Sequence, residues 1–452
     1  MVVVRTFSTS QWLTLVFASV FLFSLGILVQ NVFADTATAT ISLGNQVPEF
    51  IGVNPTTNEI YVSDSQYYDP NNTFCGFHVC LGKTISIING STDSVAGNIT
   101  AGFTPSGIGV NPSTNKIYVA ADSPFFNVAS IDGSTNTITS TIRTVGIGAT
   151  SVGVNPNTNM IYVTTDSNTV SVVKTSGNSY SNIANVRVGD SPWGVGVNPI
   201  TNKIYVANLF SNTVSVIDGA TNSVTSTIPV GTNPFAVAVN PNTNKIYVTL
   251  TYSVAVIDGA TNNVTNTIPV GSNPEDIAVN PNTNKIYVAN YLSNTVSVID
   301  GATNSVVSTV VDNGRPYAIG INPNTGKIYV ANQGSRSVTV IEGNTIPSAP
   351  QNLMATAVSS SQINLTWSAP SNNGGSTISG YMIERSTDNG TTWSTIVPNT
   401  GSTSTAFSDT GLDKKTTYTY RIHAINGVGT SPPSNIVSAT TLKNNHYHHK
   451  SI

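Results

Sequence analysis

The chain has 452 residues, enough for two or three domains, yet only 9% of them are charged and the formal net charge is -3. Roughly a quarter of an ordinary soluble chain is charged, so Asn, Thr and Ser must supply most of this polar surface. The absence of a basic cluster excludes the electrostatic footprint of a nucleic-acid binder, and a neutral, amide- and hydroxyl-rich skin suits an extracellular protein better than a cytosolic enzyme.

Arg5 precedes an uncharged, mostly apolar run from Trp12 to Val29, and Val32 and Ala34 follow in the pattern that signal peptidases accept. Residues 1–34 read as a cleaved signal peptide, or as an uncleaved N-terminal membrane anchor, since the run is long for a signal. Both readings export everything after Ala34, and any membrane association is expected through this segment. An exported chain is expected to pair its two cysteines, Cys75 and Cys80. Their spacing, with His78 between, would also suit half a metal site, but no second pair completes a zinc tetrahedron.

From there the chain repeats itself. An Asn-Pro pair followed six residues later by Ile-Tyr-Val begins at Asn54, Asn111, Asn155, Asn198, Asn240, Asn280 and Asn322. A period near 42 residues with only strand signals means a propeller or a β-solenoid. Each full copy holds four short β segments. Asn-Pro-Asn-Thr-Asn turns join the first two and Asp-Gly-Ala-Thr-Asn turns the last two, as in the fifth copy with "PFAVAVN", "KIYVTL", "SVAVIDG" and "NVTNTIPV". That is the description of a propeller blade. Two residues before each Asn stands Gly or Ala (Gly52, Gly109, Gly153, Gly196, Ala238, Ala278, Gly320), as required where innermost strands converge on an axis. The last copy lacks its fourth strand, whereas the chain begins with a lone strand around Thr38–Leu43. That strand is expected to complete the last blade and close the ring.

The string "KIYVAN…NTVSVIDGATN…VTSTIPVG" resembles the YVTN-type β-propeller repeat found in archaeal surface-layer and other cell-surface proteins, over about residues 35–345. The resemblance implies an all-β, seven-bladed propeller serving largely as an extracellular scaffold. Beyond the Pro-rich "IPSAPQNL", Trp367, Leu412, Tyr418 and Tyr420 resemble the core and corner of a fibronectin type III β-sandwich, over residues 346–441. A flexible tail, 442–452, carries His446, His448 and His449.

Function is expected where the copies differ. The turns of one face are nearly uniform, and Asp218, Asp258 and Asp300 there read as turn formers rather than metal ligands. On the other face, five residues before each Asn, stand Glu49, Ser106, Thr150, Trp193, Phe235, Glu275 and Tyr317, at the expected mouth of a central channel. Loops of the same face add Phe125, Phe126, Leu209, Phe210, Tyr252, Tyr291 and Leu292. Aromatics beside acids and amides suit the apolar faces and hydroxyls of sugars, or equally a protein partner. The expected partner is therefore a cell-envelope glycan or a surface protein. No cofactor is expected.

The competing class is an extracellular carbohydrate hydrolase or lyase, with Glu49, Glu275 and Asp276 as the acids such chemistry needs. A structural surface-coat component is a third reading. Asp64, Asp69 and Asn71 could offer oxygens to calcium, although their spacing lacks an EF-hand pattern. N-glycosylation sequons stand at Asn71, Asn89, Asn98, Asn263, Asn364 and Asn389.

Overall fold

The computed structural model describes residues 35–68, 79–122, 127–146, 148–343, 346–374 and 377–443. The readings on residues 1–34, the Cys75–Cys80 pair, Asp69, Asn71, Phe125, Phe126 and the His-containing tail lie outside the described residues. The chain divides into two compact units, one from Ala34 to Thr345 and the other carrying everything from Ile346 on. Among the described residues all regular structure is β.

The first unit consists of seven four-stranded antiparallel sheets. The innermost strands of successive blades are Gln46–Asn54, Thr104–Asn111, Ala149–Asn155, Pro192–Asn198, Val237–Asn240, Pro274–Asn280 and Pro316–Ile321. Each neighbours the next, and the seventh neighbours the first, so the ring is closed. Crowding explains the small residue in each. A Cβ added at Gly109 would lie 2.6 Å from the carbonyl oxygen of Val152 in the next blade, and one at Gly196 would lie 2.8 Å from a Val237 methyl.

The lone N-terminal strand, Thr36–Ser42, pairs with Ser337–Glu342 as the outer strand of the seventh blade. It even carries the register shift seen at the same place in other blades, here between Ala37 and Ala39 and in blade 4 opposite Val216/Ile217. The closure read from the sequence is therefore what the chain does. Just before this strand, the fully buried carboxylate of Asp35 receives the Lys285 ammonium group at 2.7 Å. In other blades the same lysine reaches across to a turn of its neighbour, as Lys203 does to the Gly259 carbonyl and Lys245 to that of Gly301. The seventh blade has no such turn, and Asp35 takes its place.

The repeated Asn-Pro-x-Thr-Asn has a physical cause in the same way. Each Asn that precedes Pro is buried. Its side-chain oxygen accepts from the backbone N–H two residues on, as Asn198 does from Ile200. Its amide donates to the last Asn of the next blade's turn: Asn54 to Asn115, Asn111 to Asn159, Asn155 to Asn202, Asn198 to Asn244, Asn240 to Asn284 and Asn322 to Asn58. Those accepting residues sit at φ of 52–57°, a left-handed conformation that Asn tolerates well. The seventh crossing, from Asn280, meets Gly326 (φ 76°), which has no amide to accept. The Ile-Tyr-Val tyrosines fill the spaces between blades. Tyr205 packs with Ile246 and Val248 of the next blade, and Tyr329 with Ile60 and Val62.

The second unit is a two-sheet sandwich. One sheet holds Gln351–Ala357, Gln362–Ser368 and Ala406–Thr410; the other holds Ser394–Val397, Gly380–Ser386, Thr417–Ile425 and Val437–Thr440. Trp367 packs edge-on against Tyr381, with ring centroids 5.1 Å apart, inside a core that includes Leu412 and Tyr420. The Tyr418 hydroxyl accepts from the Asp413 backbone N–H at 3.1 Å, the corner expected of a fibronectin type III fold.

Candidate functional site

The divergent column of the repeat read from the sequence lies at the start of the innermost strands, and there the structure holds a cavity of about 180 Å³. Every blade lines it. Phe50 and Ile51 come from the first, Gly107 and Ile108 from the second, Ser151 and Val152 from the third. Trp193, Phe235 with Ala236, Glu275 with Asp276, and Ile319 complete the circle from blades 4 to 7. The cavity is therefore axial.

Trp193 and Phe235, expected side by side at the mouth, are stacked with centroids 4.9 Å apart and planes inclined by 28°. The Trp193 Nε1 is buried with no hydrogen-bond partner. Around the ring, Tyr317 meets Phe50 and Tyr291 edge-on, both at 6.0 Å, and the Arg315 guanidinium lies over Tyr291 at 5.9 Å from its centroid. Phe210, Tyr252 and Leu292 stand 74%, 65% and 66% exposed on the second-to-third loops of blades 4 to 6. Backbone bonds tie two of these loops to the approach of the innermost strand, Phe210 N–H to Asp190 and Tyr291 N–H to Asn273. The expected ligand-binding residues Trp193, Phe235, Glu275, Tyr317 and Tyr291 thus belong to the mouth, and Phe210 and Tyr252 to its rim.

Ser106 and Thr150, in the same column, serve the scaffold instead: the Ser106 hydroxyl donates to the Thr150 carbonyl, and the buried Thr150 hydroxyl pairs with that of Thr164 at 2.8 Å. The residue one place further on contributes as much of the wall. In that column Gly107, Ser151, Gly194, Ala236 and Ala318 are small, whereas Phe50 and Asp276 are not. Sequence reasoning passed over Phe50 because attention stayed on one column. Aligning the next would have exposed it.

The acids at the mouth share one electrostatic neighbourhood. Burial pushes Glu49 up to about 7 and raises Glu275 despite the hydrogen bond from Asn273. Asp276 is also pushed up to about 7 by burial, although its two oxygens accept from the backbone N–H groups of Ile277 at 2.8 Å and Ile319 at 2.9 Å. Asp276 thereby joins blade 6 to blade 7. The Tyr317 hydroxyl is raised by burial first, then by Glu49, Glu275 and Asp276. Glu49 and Asp276 are thereby carboxyls able to hydrogen-bond, to take up a cation, or to exchange protons near pH 7.

Elsewhere, Asp64 is buried inside blade 1, accepting from the Ser86 hydroxyl at 2.7 Å. Its counterparts Asn208, Asn290 and Asn332 donate to Ser215, Ser297 and Thr339. Asp218, Asp258 and Asp300 accept from the backbone of their own turns, as turn formers should. Of the sequon residues, Asn89, Asn98, Asn263 and Asn389 are exposed. Asn364 is half-buried and accepts from Gln362 and Ser408.

The fold and its axial cavity define a seven-bladed propeller joined to a fibronectin type III module. Residues 82–280 match the model of the YNCE-like beta-propeller family and residues 348–440 that of the fibronectin type III domain. Among curated proteins the chain is similar to the titin homolog of Caenorhabditis elegans (35% identity over 96 residues, 21% of this chain and, to the nearest per cent, 0% of that protein). It is likewise similar to exoglucanase B of Cellulomonas fimi (38% over 99 residues, 22% and 8%) and to roundabout homolog 1 of Homo sapiens (36% over 94 residues, 21% and 6%). The chain thus spans less than a tenth of the length of each of these relatives. Among solved structures, Kuenenia stuttgartiensis hydrazine synthase is similar with a TM-score of 0.56 and 18% identity, covering 66% of this chain and 96% of that one. This last is a likeness of fold alone.

Proposed function

We propose that the chain is a binding scaffold outside the cell, or on its surface, that recognises a glycan or a surface protein through the axial mouth and its rim. One observation carries this reading. Seven nearly identical blades diverge at one end of the axis, and what they place there is the Trp193–Phe235 stack, the Phe50–Tyr317–Tyr291 cluster and a cavity between them. Aromatic faces take the apolar side of a sugar ring while carboxyls meet its hydroxyls. The apolar rim suits a protein surface by the same physics. Export is supported by the apolar run before Ala34 and by the low charge. The fibronectin type III module serves as a spacer or second adhesive unit.

The test is binding of the purified chain to cell-envelope polysaccharides and envelope proteins, beside a variant with Trp193→Ala and Phe235→Ala, with sugar release assayed in each mixture. Binding lost in the variant without turnover supports the reading. Sugar release that depends on Glu49 or Glu275 would replace it with the hydrolase or lyase. Self-association without ligand binding would replace it with a surface-coat role.

A further inference from the structure

The mouth of the axis is chemically lopsided. Trp193 and Phe235 make its wall at blades 4 and 5, and Glu275 and Asp276 follow at blade 6; Glu49 precedes Phe50 in the chain and lies outside that lining. All three carboxyls lie close enough to Tyr317 to perturb its hydroxyl. Yet among the described residues none of the three is in an ion pair. The nearby Arg315 lies over Tyr291 instead.

A metal ion is a poor answer to this surplus of acid. It needs several oxygens converging at about 2.0–2.6 Å, and among the described residues no three acidic, His or Cys side chains converge as a metal site. Asp276 already has both oxygens engaged by backbone N–H groups. What the site offers is a cavity with one wall of aromatic faces and carboxyls on the other wall. An organic cation matches each part: its charge answers the acids, its carbon skeleton covers the rings, and an ammonium group is attracted to an aromatic face. The volume, that of about six water molecules, accommodates one ring-sized group.

We propose that the axial cavity receives a ligand carrying a protonated amine, its ammonium group turned toward Glu275 and its skeleton laid against Trp193 and Phe235. The proposal rests on the reading of the mouth as a ligand site and names the class of ligand. An amino sugar in a glycan, or a lysine side chain of a surface protein, presents the same group.

The experiment is isothermal titration of the whole chain, near neutral pH, with two matched pairs. D-Glucosamine is compared with N-acetyl-D-glucosamine, and cyclohexylamine with cyclohexanol; in each pair one member is charged and the other neutral. The amines are expected to bind about tenfold or more tightly than their neutral partners, a difference of about 1.4 kcal/mol. Glu275→Gln, whose amide oxygen can still accept from Asn273, should remove that preference, each amine losing more affinity than its neutral partner, and an unchanged melting curve shows that it folds. Equal binding of glucosamine and its N-acetyl form, or a preference that survives Glu275→Gln, overturns the amine while leaving a sugar site standing. Binding of cyclohexylamine but of neither sugar keeps the amine and overturns the glycan. No binding by any of the four overturns the proposal.

Discussion

Asp64 offers a quantitative test of how this propeller uses its repeats. Its position belongs to Asn in blades 4, 6 and 7, where the amide donates to a hydroxyl on the third strand: Asn208 to Ser215 and Asn290 to Ser297 at 2.9 Å, Asn332 to Thr339 at 2.8 Å. Blade 1 keeps the hydroxyl, Ser86, but replaces the amide by a carboxyl with no exposed surface. Burial pushes that carboxyl from 3.8 up to about 7, against the opposing pull of the Ser86 bonds. A folded acid held above its unfolded value binds a proton that the unfolded chain has released, so stability falls as pH rises from about 4 to about 7 and stays lower above that. The ceiling on this loss is about 4 kcal/mol. Relaxation of the interior reduces it, and about 1–3 kcal/mol is expected. Asp64→Asn supplies a neutral amide to the same hydroxyl and should recover it, raising the propeller's melting temperature by about 2–4 °C near pH 8. The gain should shrink toward zero near pH 3, below both the unfolded and the folded values, where the wild-type acid is protonated in both states. Calorimetry at the two pH values decides the matter. No gain near pH 8, or the same gain at both, would refute the assignment of a buried, destabilising carboxylate.

The remaining expectations concern closure and capping. Asp35→Ala leaves the Lys285 ammonium, itself only 24% exposed, without its carboxylate; it should cost about 2–3 kcal/mol, read as a lower urea midpoint of the propeller transition. Gly326→Asn places an amide at a φ of 76° that Asn tolerates, opposite Asn280, and by completing the ring of side-chain bonds should add about 0.5–1 kcal/mol; a loss in thermal unfolding would mean that the seventh crossing is not equivalent to the other six. Tyr418→Phe deletes the acceptor of the Asp413 N–H and should lower the sandwich transition by about 1–2 kcal/mol without moving that of the propeller.

Much of the fold was legible because the repeat is its own alignment. The small residue before each Asn-Pro pair reports the crowding at Gly109 and Gly196, and the missing fourth strand of the last copy announces the pairing of Thr36–Ser42 with Ser337–Glu342. Comparing copies also picked out Trp193, Phe235, Glu275 and Tyr317, since steric uniformity elsewhere makes the divergent column conspicuous. What comparison could not supply was depth. Ser106 and Thr150 share that column but turn into the hydrogen bonding of the scaffold, and Phe50, one place along, fills the mouth because its counterparts are too small to do so. Nor does a run of letters distinguish Glu275 from Asp276: the second accepts from its neighbour Ile277 and, across a blade boundary, from Ile319, a contact that exists only once blades 6 and 7 have packed together.

The most direct test of the axial mouth as the binding site is hydrogen–deuterium exchange of the whole chain, with and without a saturating envelope polysaccharide or surface protein that it binds. Ligand should slow exchange at residues 192–195, 235–237 and 274–277, three segments far apart in sequence that meet at the cavity. Protection confined to the Asn-Pro turns or to the fibronectin type III strands, with these segments unchanged, would contradict it.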